Sequence, residues 1–291
     1  MSAKHPIISV TGSSGAGTTS VRQTFETIFR REHINAAFIE GDAFHRYGRA
    51  EMEQVMAEAK KRGNNHFSHF GPEANLLEEL EEVFRSYGES GNGRTRHYIH
   101  DEAEAERCGA GVGTFTPWSD LPRNTDLMFY EGLHGALVTE KINLARYADL
   151  KIGVVPVINL EWIQKLLRDQ SARGYSHEAA VDAILARMPD YVNFICPQFT
   201  ETDINFQRVP TVDTSNPFIA RSIPTPDESM VIIRFRDPRG IDFPYLLSMV
   251  QMSFMSRANS VVIPGGLLDL AMQLILTPLI LTLVERQRRA S

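Results

Sequence analysis

Cysteine is nearly absent: Cys108 and Cys196 are the only two in 291 residues, and they form no C-x-x-C pair. That scarcity excludes a disulfide scaffold and a thiolate zinc site, and predicts a reducing, cytoplasmic setting. Positive charge is in deficit, with 30 Lys and Arg against 36 Asp and Glu. The net charge of −6 speaks against a nucleic-acid or anionic-membrane partner. No internal repeat and no low-complexity tract interrupts the chain. The greasiest stretch, residues 267–284, is broken by Asp269, Gln273 and Pro278, so a buried or subunit-packing helix is expected there rather than a membrane span. An apolar strand begins almost at once at Ile7, so no signal peptide is expected. The rest has an ordinary globular composition, 43% hydrophobic and 23% charged. No linker composition divides it, and one domain over residues 1–291 is expected.

One further absence lies inside a motif. Gly12-Ser13-Ser14-Gly15-Ala16-Gly17-Thr18-Thr19-Ser20 follows the apolar run Ile7-Ile8-Ser9-Val10. It precedes a segment whose Val21, Phe25, Ile28 and Phe29 recur at helical spacing. A strand, a glycine-rich turn and a helix cradle nucleotide phosphates through inward backbone N–H groups and the positive end of the helix. The spacing matches G-x-x-x-x-G-K-[ST], except that Thr18 stands in place of the lysine. The expected ATP site is therefore Gly12, Ser13, Ser14, Gly15, Ala16, Gly17, Thr18, Thr19 and Ser20. The Thr19 hydroxyl is placed on Mg²⁺, and the missing positive charge has to come from elsewhere.

Residues 36–40 read as a second strand ending in Gly41-Asp42-Ala43-Phe44-His45. Strand, helix, strand implies a parallel pair with a right-handed crossover. Ligands of such sheets sit beyond the carboxyl ends of the strands, the edge that also carries the phosphate loop. Asp42 is the leading candidate for a base accepting a hydroxyl proton; the bland alternative is a turn aspartate after glycine. His45 and Arg49 add two groups able to grip a phosphate. Another apolar run, residues 127–132, ends in Glu131, which is expected to help hold Mg²⁺. Helices are predicted over 49–62 and 72–87, and a hairpin insertion over 88–118. Residues 94–100 form a strand of that insertion, with His100 a weaker binding candidate beside Arg96 and His97. A buried strand over 150–157, helices over 160–172 and 176–194, strands over 207–212, 230–235 and 260–263, and a helical segment over 242–254 complete the reading.

Within the predicted helix after the 150–157 strand, Lys165, Arg168, Asp169 and Arg173 group on one side at offsets of three, four and eight. Two or three cations there could neutralise charge on a transferred phosphoryl group, and Asp169 could complete the Mg²⁺ shell. Taken alone, the segment reads as a solvated face of ion pairs. Spacing leaves open whether Asp42 or Asp169 is the base. Arg234 and Arg236 lie two apart on a predicted strand and share a face. With Arg239 and Arg257 they could form an anion site away from the catalytic edge, although surface solvation is the plainer reading.

These residues together resemble the bacterial phosphoribulokinases of the P-loop phosphoribulokinase/uridine kinase family. The resemblance rests on Gly-Ser-Ser-Gly-Ala-Gly-Thr-Thr-Ser, Glu-Gly-Asp42-Ala-Phe-His45-Arg, Tyr-Glu131-Gly-Leu-His-Gly and Arg168-Asp169-x-x-x-Arg173-Gly-Tyr. Asp203-Ile-Asn-Phe-Gln-Arg-Val-Pro and Asp213-Thr-Ser-Asn-Pro-Phe extend it. It implies an α/β, nucleoside-monophosphate-kinase-like three-layer fold with a mixed, mostly parallel central sheet flanked by helices. It also implies Mg²⁺- and ATP-dependent phosphorylation of the C1 hydroxyl of D-ribulose 5-phosphate to ribulose 1,5-bisphosphate, a carbon-fixation step. By the same resemblance Asp42 is the base, Asp169 and Glu131 surround Mg-ATP, and Lys165 and Arg168 act in phosphoryl transfer. His45, Arg49, Arg173 and His100 are assigned to the sugar phosphate, and Arg234 and Arg257 to an effector response. NADH as activator, AMP as inhibitor and a homo-octamer are further implications. The competing readings are a uridine- or pantothenate-type kinase, and a nucleotide-sensing regulator that does not transfer. Retention of Asp42, Asp169 and Lys165 weighs against the regulator.

Overall fold

The computed structural model describes residues 4–13, 18–173 and 176–290, without the side chains of residues 18–20, 172 and 173. Ser14, Gly15, Ala16 and Gly17 of the expected phosphate loop lie outside the described residues, as do the side chains of Thr18, Thr19, Ser20 and Arg173.

The chain opens with β1 (Ile7–Thr11), α1 (Thr18–Arg31), β2 (Ala36–Glu40), α2 (Arg49–Lys61) and α3 (Leu77–Ser90). A small excursion follows: β3 (Arg94–Thr95), α4 (Glu102–Cys108) and β4 (Ser119–Asp120). The chain then returns through β5 (Leu127–Gly132), β6 (Leu150–Val155), α5 (Ile158–Arg173), α6 (His177–Ala186) and the single turn α7 (Met188–Asp190). It ends with β7 (Ile204–Pro210), β8 (Ser229–Phe235), α8 (Phe243–Met249), β9 (Phe254–Arg257), β10 (Ser260–Pro264) and α9 (Leu268–Ala290).

Eight strands form one sheet in the order β2-β5-β1-β6-β7-β8-β10-β9. The first five are parallel, and β8, β10 and β9 complete it as antiparallel neighbours. Every residue of β1 is buried, as a strand covered by helices on both faces requires. Alternate side chains point to opposite faces. Ile8, Val10, Phe129 and Ile152 pack with Val21, Phe25 and Ile28 of α1 and Met272, Ile275 and Leu276 of α9. Ile7, Ile39, Met128 and Tyr130 pack with Leu77, Leu80, Phe84 and Tyr87 of α3. The result is the expected three-layer arrangement. Strand order reverses at β1, with β5 on one side and β6 on the other, and the carboxyl ends of these strands frame a crevice.

The segment Gly265–Ala290, which contains α9, is the one helix among the described residues long and apolar enough to cross a membrane. Here it packs against α1 and the sheet through Ala271, Met272, Ile275, Leu276, Ile280 and Val284. Arg31 of α1 donates to Gln273 Oε1 and Thr277 Oγ1, each at 3.0 Å.

Some elements depart from the periodicity reading. The helix expected to open at Pro72 starts at Leu77, because Asn75 is extended (φ −130°, ψ 152°) and bridges to His45. It runs through Gly88 and stops at Gly91, whose φ of 72° is the left-handed cap that glycine supplies. The insertion is a ribbon pinned by β3 and β4 with α4 at its tip, rather than a plain hairpin. Residues 250–254 are not helical; β9 follows and takes the sheet edge.

Candidate active site

The site is assembled where β2 and β5 end. Gly41 lies against Gly132: a Cβ on Gly41 would come within 2.8 Å of the Gly132 Cα and 2.7 Å of the Tyr130 phenol oxygen. Only glycine at both positions lets the two strand ends close to that distance. Glu40 and Glu131 are register partners, so the turn Gly41–Phe44 hands Asp42 to the edge where Glu131 sits.

Asp42 Oδ1 is 3.2 Å from His45 Nε2, and Oδ2 is 3.8 Å from His100 Nε2. Burial pushes this carboxyl up, but the hydrogen bond and charge of His45, with His100 and His69, hold it at about 2. Its side chain is nonetheless 41% exposed. Burial works against a charged His45, whereas Asp42 and the Asn75 amide favour it, and the net shift is upward. The insertion holds this turn in place. Arg96 donates to Ala43 O at 2.8 Å and His45 O at 2.6 Å, with its guanidinium carbon 3.6 Å from the Phe115 ring centroid and 4.9 Å from that of Trp118. Arg49 N donates to Gly113 O at 2.7 Å, and the Arg49 guanidinium reaches His100 O at 3.3 Å. Of the expected substrate residues, His45 and His100 therefore flank Asp42, and Arg49 is tied to the backbone of His100.

A second group comes from α5. Lys165 Nζ donates to Asp169 Oδ2, and Arg168 Nε lies 3.6 Å from Asp169 Oδ1. This is not a solvated helix face: the Lys165 side chain is 9% exposed and that of Asp169 is 2%. Burial and the neighbouring Arg187 charge lower Lys165 to about 8 against the opposing pull of Asp169. Arg187 is itself buried, 3.5 Å from Glu161 Oε1, with its guanidinium over the Phe70 ring. His69 joins the two groups. The residue is exposed, its ring lies 5.0 Å from that of His45, and partial desolvation with repulsion from His45, Arg187 and Lys165 lowers its pKa.

The described part of the phosphate loop is tied down from below. Gly12 N donates to Gly132 O at 3.1 Å. Thr11 Oγ1 meets Gln198 Oε1 at 3.0 Å, and the same oxygen accepts from Ala136 N at 3.0 Å while Gln198 Nε2 donates to Leu133 O and Phe194 O. Ser13 is fully buried and faces Glu161. Gln198, Asn75, Arg187 and Glu161 escaped the sequence reading; none carries a spacing signal, since each acts through a partner more than twenty residues away.

The donor set suits Mg²⁺. Among the described residues no cluster of three or more His, Cys, Asp or Glu could cage an ion. Mg²⁺ is usually held by one or two carboxylates together with substrate phosphates, and Glu131 and Asp169 are carboxylates of that kind. Arg234, Ser260 and Arg257 stand opposite one another across β8, β10 and β9, with both arginines exposed. Arg236 is drawn to Glu201 and Arg239 to Asp237, so the four arginines do not form one cluster.

A strand–loop–helix entry with acidic and cationic side chains gathered at the carboxyl edge of a parallel sheet defines a P-loop phosphotransferase acting on an alcohol. The chain belongs to the Phosphoribulokinase / Uridine kinase family, whose model matches residues 7–215. It is 74% identical over 287 residues to the phosphoribulokinase of Nitrobacter vulgaris, covering 99% of both chains. It is 65% identical over 291 residues to the chromosomal phosphoribulokinase of Cupriavidus necator, covering 100% of both. The solved structure of phosphoribulokinase from Rhodobacter spheroides superposes with a TM-score of 0.92 at 61% identity, covering 99% of this chain and 100% of that one.

Proposed function

We propose that this chain transfers the γ-phosphoryl group of ATP to the C1 hydroxyl of D-ribulose 5-phosphate, giving ribulose 1,5-bisphosphate and ADP for carbon fixation. The observation that carries this reading is the ionised Asp42 at the strand end, flanked by His45 and His100 with Arg49 held to the His100 carbonyl, in a chain that aligns end to end with relatives named phosphoribulokinase. A grouping of that kind suits an acceptor that already bears phosphate. Asp42 takes the hydroxyl proton, Lys165 and Arg168 balance charge on the transferring group, and Arg173 joins His45 and Arg49 in holding the sugar phosphate. Lys165 and Arg168 supply what Thr18 cannot. Glu131, Asp169 and the Thr19 hydroxyl would hold Mg²⁺, which when bound neutralises phosphate charge. The two free, exposed cysteines fit a reducing cytoplasm. With Mg-ATP the purified protein is expected to phosphorylate ribulose 5-phosphate while leaving uridine and pantothenate untouched. ATP binding without turnover of any of the three would replace the enzyme reading with the sensor.

The Arg234–Arg257 row is proposed as an anionic effector site serving NADH activation and AMP inhibition. It includes the edge strand β9, which exposes Phe254, and Met252 is exposed in the turn before it, a surface suited to a homo-oligomer, an octamer by resemblance. Arg257→Ala is expected to blunt stimulation by NADH and to leave the rate without NADH intact; an unaltered NADH response removes this assignment.

A further inference from the structure

Asn75 is buried, 2% exposed, between the Asp42 turn and the segment carrying His69. Its Nδ2 lies 2.8 Å from His69 O and 2.7 Å from Gly71 O. Backbone carbonyls only accept, so both amide hydrogens are committed there and the orientation of the amide is settled. Its Oδ1, 2.8 Å from His45 Nδ1, can only accept, and Nδ1 must therefore carry a hydrogen. On the far side of the ring, Nε2 faces Asp42 Oδ1 at 3.2 Å. An ionised carboxylate also only accepts, so Nε2 must carry a hydrogen as well. Both ring nitrogens donate, and the ring is a cation.

We propose that Asn75 is a positioning residue for phosphoryl transfer: its amide locks His45 as a doubly donating imidazolium, which engages Asp42 Oδ1 and leaves Oδ2 to take the substrate proton. In the step itself, the C1 hydroxyl oxygen forms a bond to the γ-phosphorus and the bond from that phosphorus to the β,γ-bridging oxygen breaks. ADP leaves with the bonding pair, and the hydroxyl proton passes to Asp42 Oδ2. His45 does not gain or lose a proton; it fixes which oxygen receives one.

The charged and titratable groups around His45 agree with that state. Burial and Arg96 oppose the cation, Asp42 and the Asn75 amide favour it with a net shift upward, and His69, at 5.0 Å between ring centroids, is itself lowered. His134 is buried and held neutral, its level driven down by burial to about 4. Tyr98 presents its ring at 6.3 Å between centroids, and His100 approaches Asp42 from the other side. The backbone reinforces the geometry: His45 and Asn75 form a bridge, Leu76 N donates to Phe44 O at 2.7 Å, and Arg46 N donates to Ala74 O at 2.8 Å.

This inference rests on the kinase reading, and its test separates the two. In full-length protein with ¹⁵N-labelled histidine, the His45 signal is assigned with His45→Gln and titrated in wild type, Asn75→Leu and Asn75→Asp. In wild type, both ring nitrogens are expected to remain protonated above the range of a free histidine. In Asn75→Leu the His45 midpoint is expected to fall, the acid limb of kcat to move to higher pH as Asp42 loses its cation, and kcat to drop about 10–100-fold. KM for ATP is expected to stay in place. Asn75→Asp keeps the acceptor at Nδ1 but loses the two donors to the loop; it is expected to retain the imidazolium and recover most of kcat. A His45 titration that does not move in Asn75→Leu, in protein that remains folded by circular dichroism, overturns the proposal. So does an Asn75→Asp variant as impaired as Asn75→Leu, which would reduce Asn75 to a loop anchor. The titration does not depend on substrate identity: a wild type that ignores ribulose 5-phosphate sinks the kinase reading and leaves the His45 titration as the test of this proposal.

Discussion

Asp42→Asn is expected to lower kcat by about 10²–10⁴-fold while ATP affinity stays near that of wild type. Asparagine preserves the volume and can still meet His45, but its side chain cannot take a proton from an alcohol. The structure favours Asp42 over Asp169 as the base on two grounds. Asp169 is 2% exposed and faces Lys165 through one oxygen and Arg168 through the other. Asp42 Oδ2 faces His100 at 3.8 Å, and its side chain is 41% exposed. Its depressed level, about 2, makes it a weak base but keeps it ionised across the physiological range. A weak base suffices where the transferring group passes through a loose transition state and the alcohol loses its proton late. Steady-state kinetics alongside calorimetric ATP binding checks this. Near-normal kcat in Asp42→Asn combined with collapse in Asp169→Asn would pass the role to Asp169.

Legibility in the sequence followed the range of the interactions involved. The parallel half of the sheet could be read because β1 and β5 are apolar along their length, a pattern that buried parallel strands impose on their own residues. Asp42 and Glu131 could be placed because a strand end is a local feature, and Thr18 was visible as a gap in a fixed spacing. The C-terminal β9 leaves no signal beyond Phe254, the last residue of the expected helical segment, since a four-residue edge strand that is mostly exposed has too few apolar positions to set a period of two. Burial of the α5 charges was also hidden. Offsets of three and four describe a solvated face and a buried ion pair equally well, and only α6 and the segment bearing Arg187 and Tyr191, packed across it, decide between them. Asn75 left no trace because the contact that gives it a role, with His45 thirty residues away, is made by the fold, while its two local bonds to His69 O and Gly71 O are those of any turn.

The buried α5 pair gives the other large effect, in which stability and catalysis come apart. Lys165→Met removes one partner of an ion pair that has almost no access to water. Breaking such a pair costs about 3–5 kcal/mol, because the remaining charge is left uncompensated. Arg168, 3.6 Å from Asp169, and the charge of Arg187 remain, so a loss near the lower end, about 3 kcal/mol, is expected in denaturant titrations. Lys165→Met with Asp169→Leu is expected to recover most of that stability, as apolar replacement of a buried pair commonly does. Activity is expected to follow a different rule. With a cation aimed at the transferring group gone, kcat falls by about 10²–10³-fold in the single variant, and the stable double variant is no better. Thr18→Lys, which restores the charge that the loop lacks, is then the decisive addition. If the position of the cation on α5 governs transfer, Thr18→Lys leaves Lys165→Met impaired; full recovery of kcat would show that charge anywhere near the phosphates is enough.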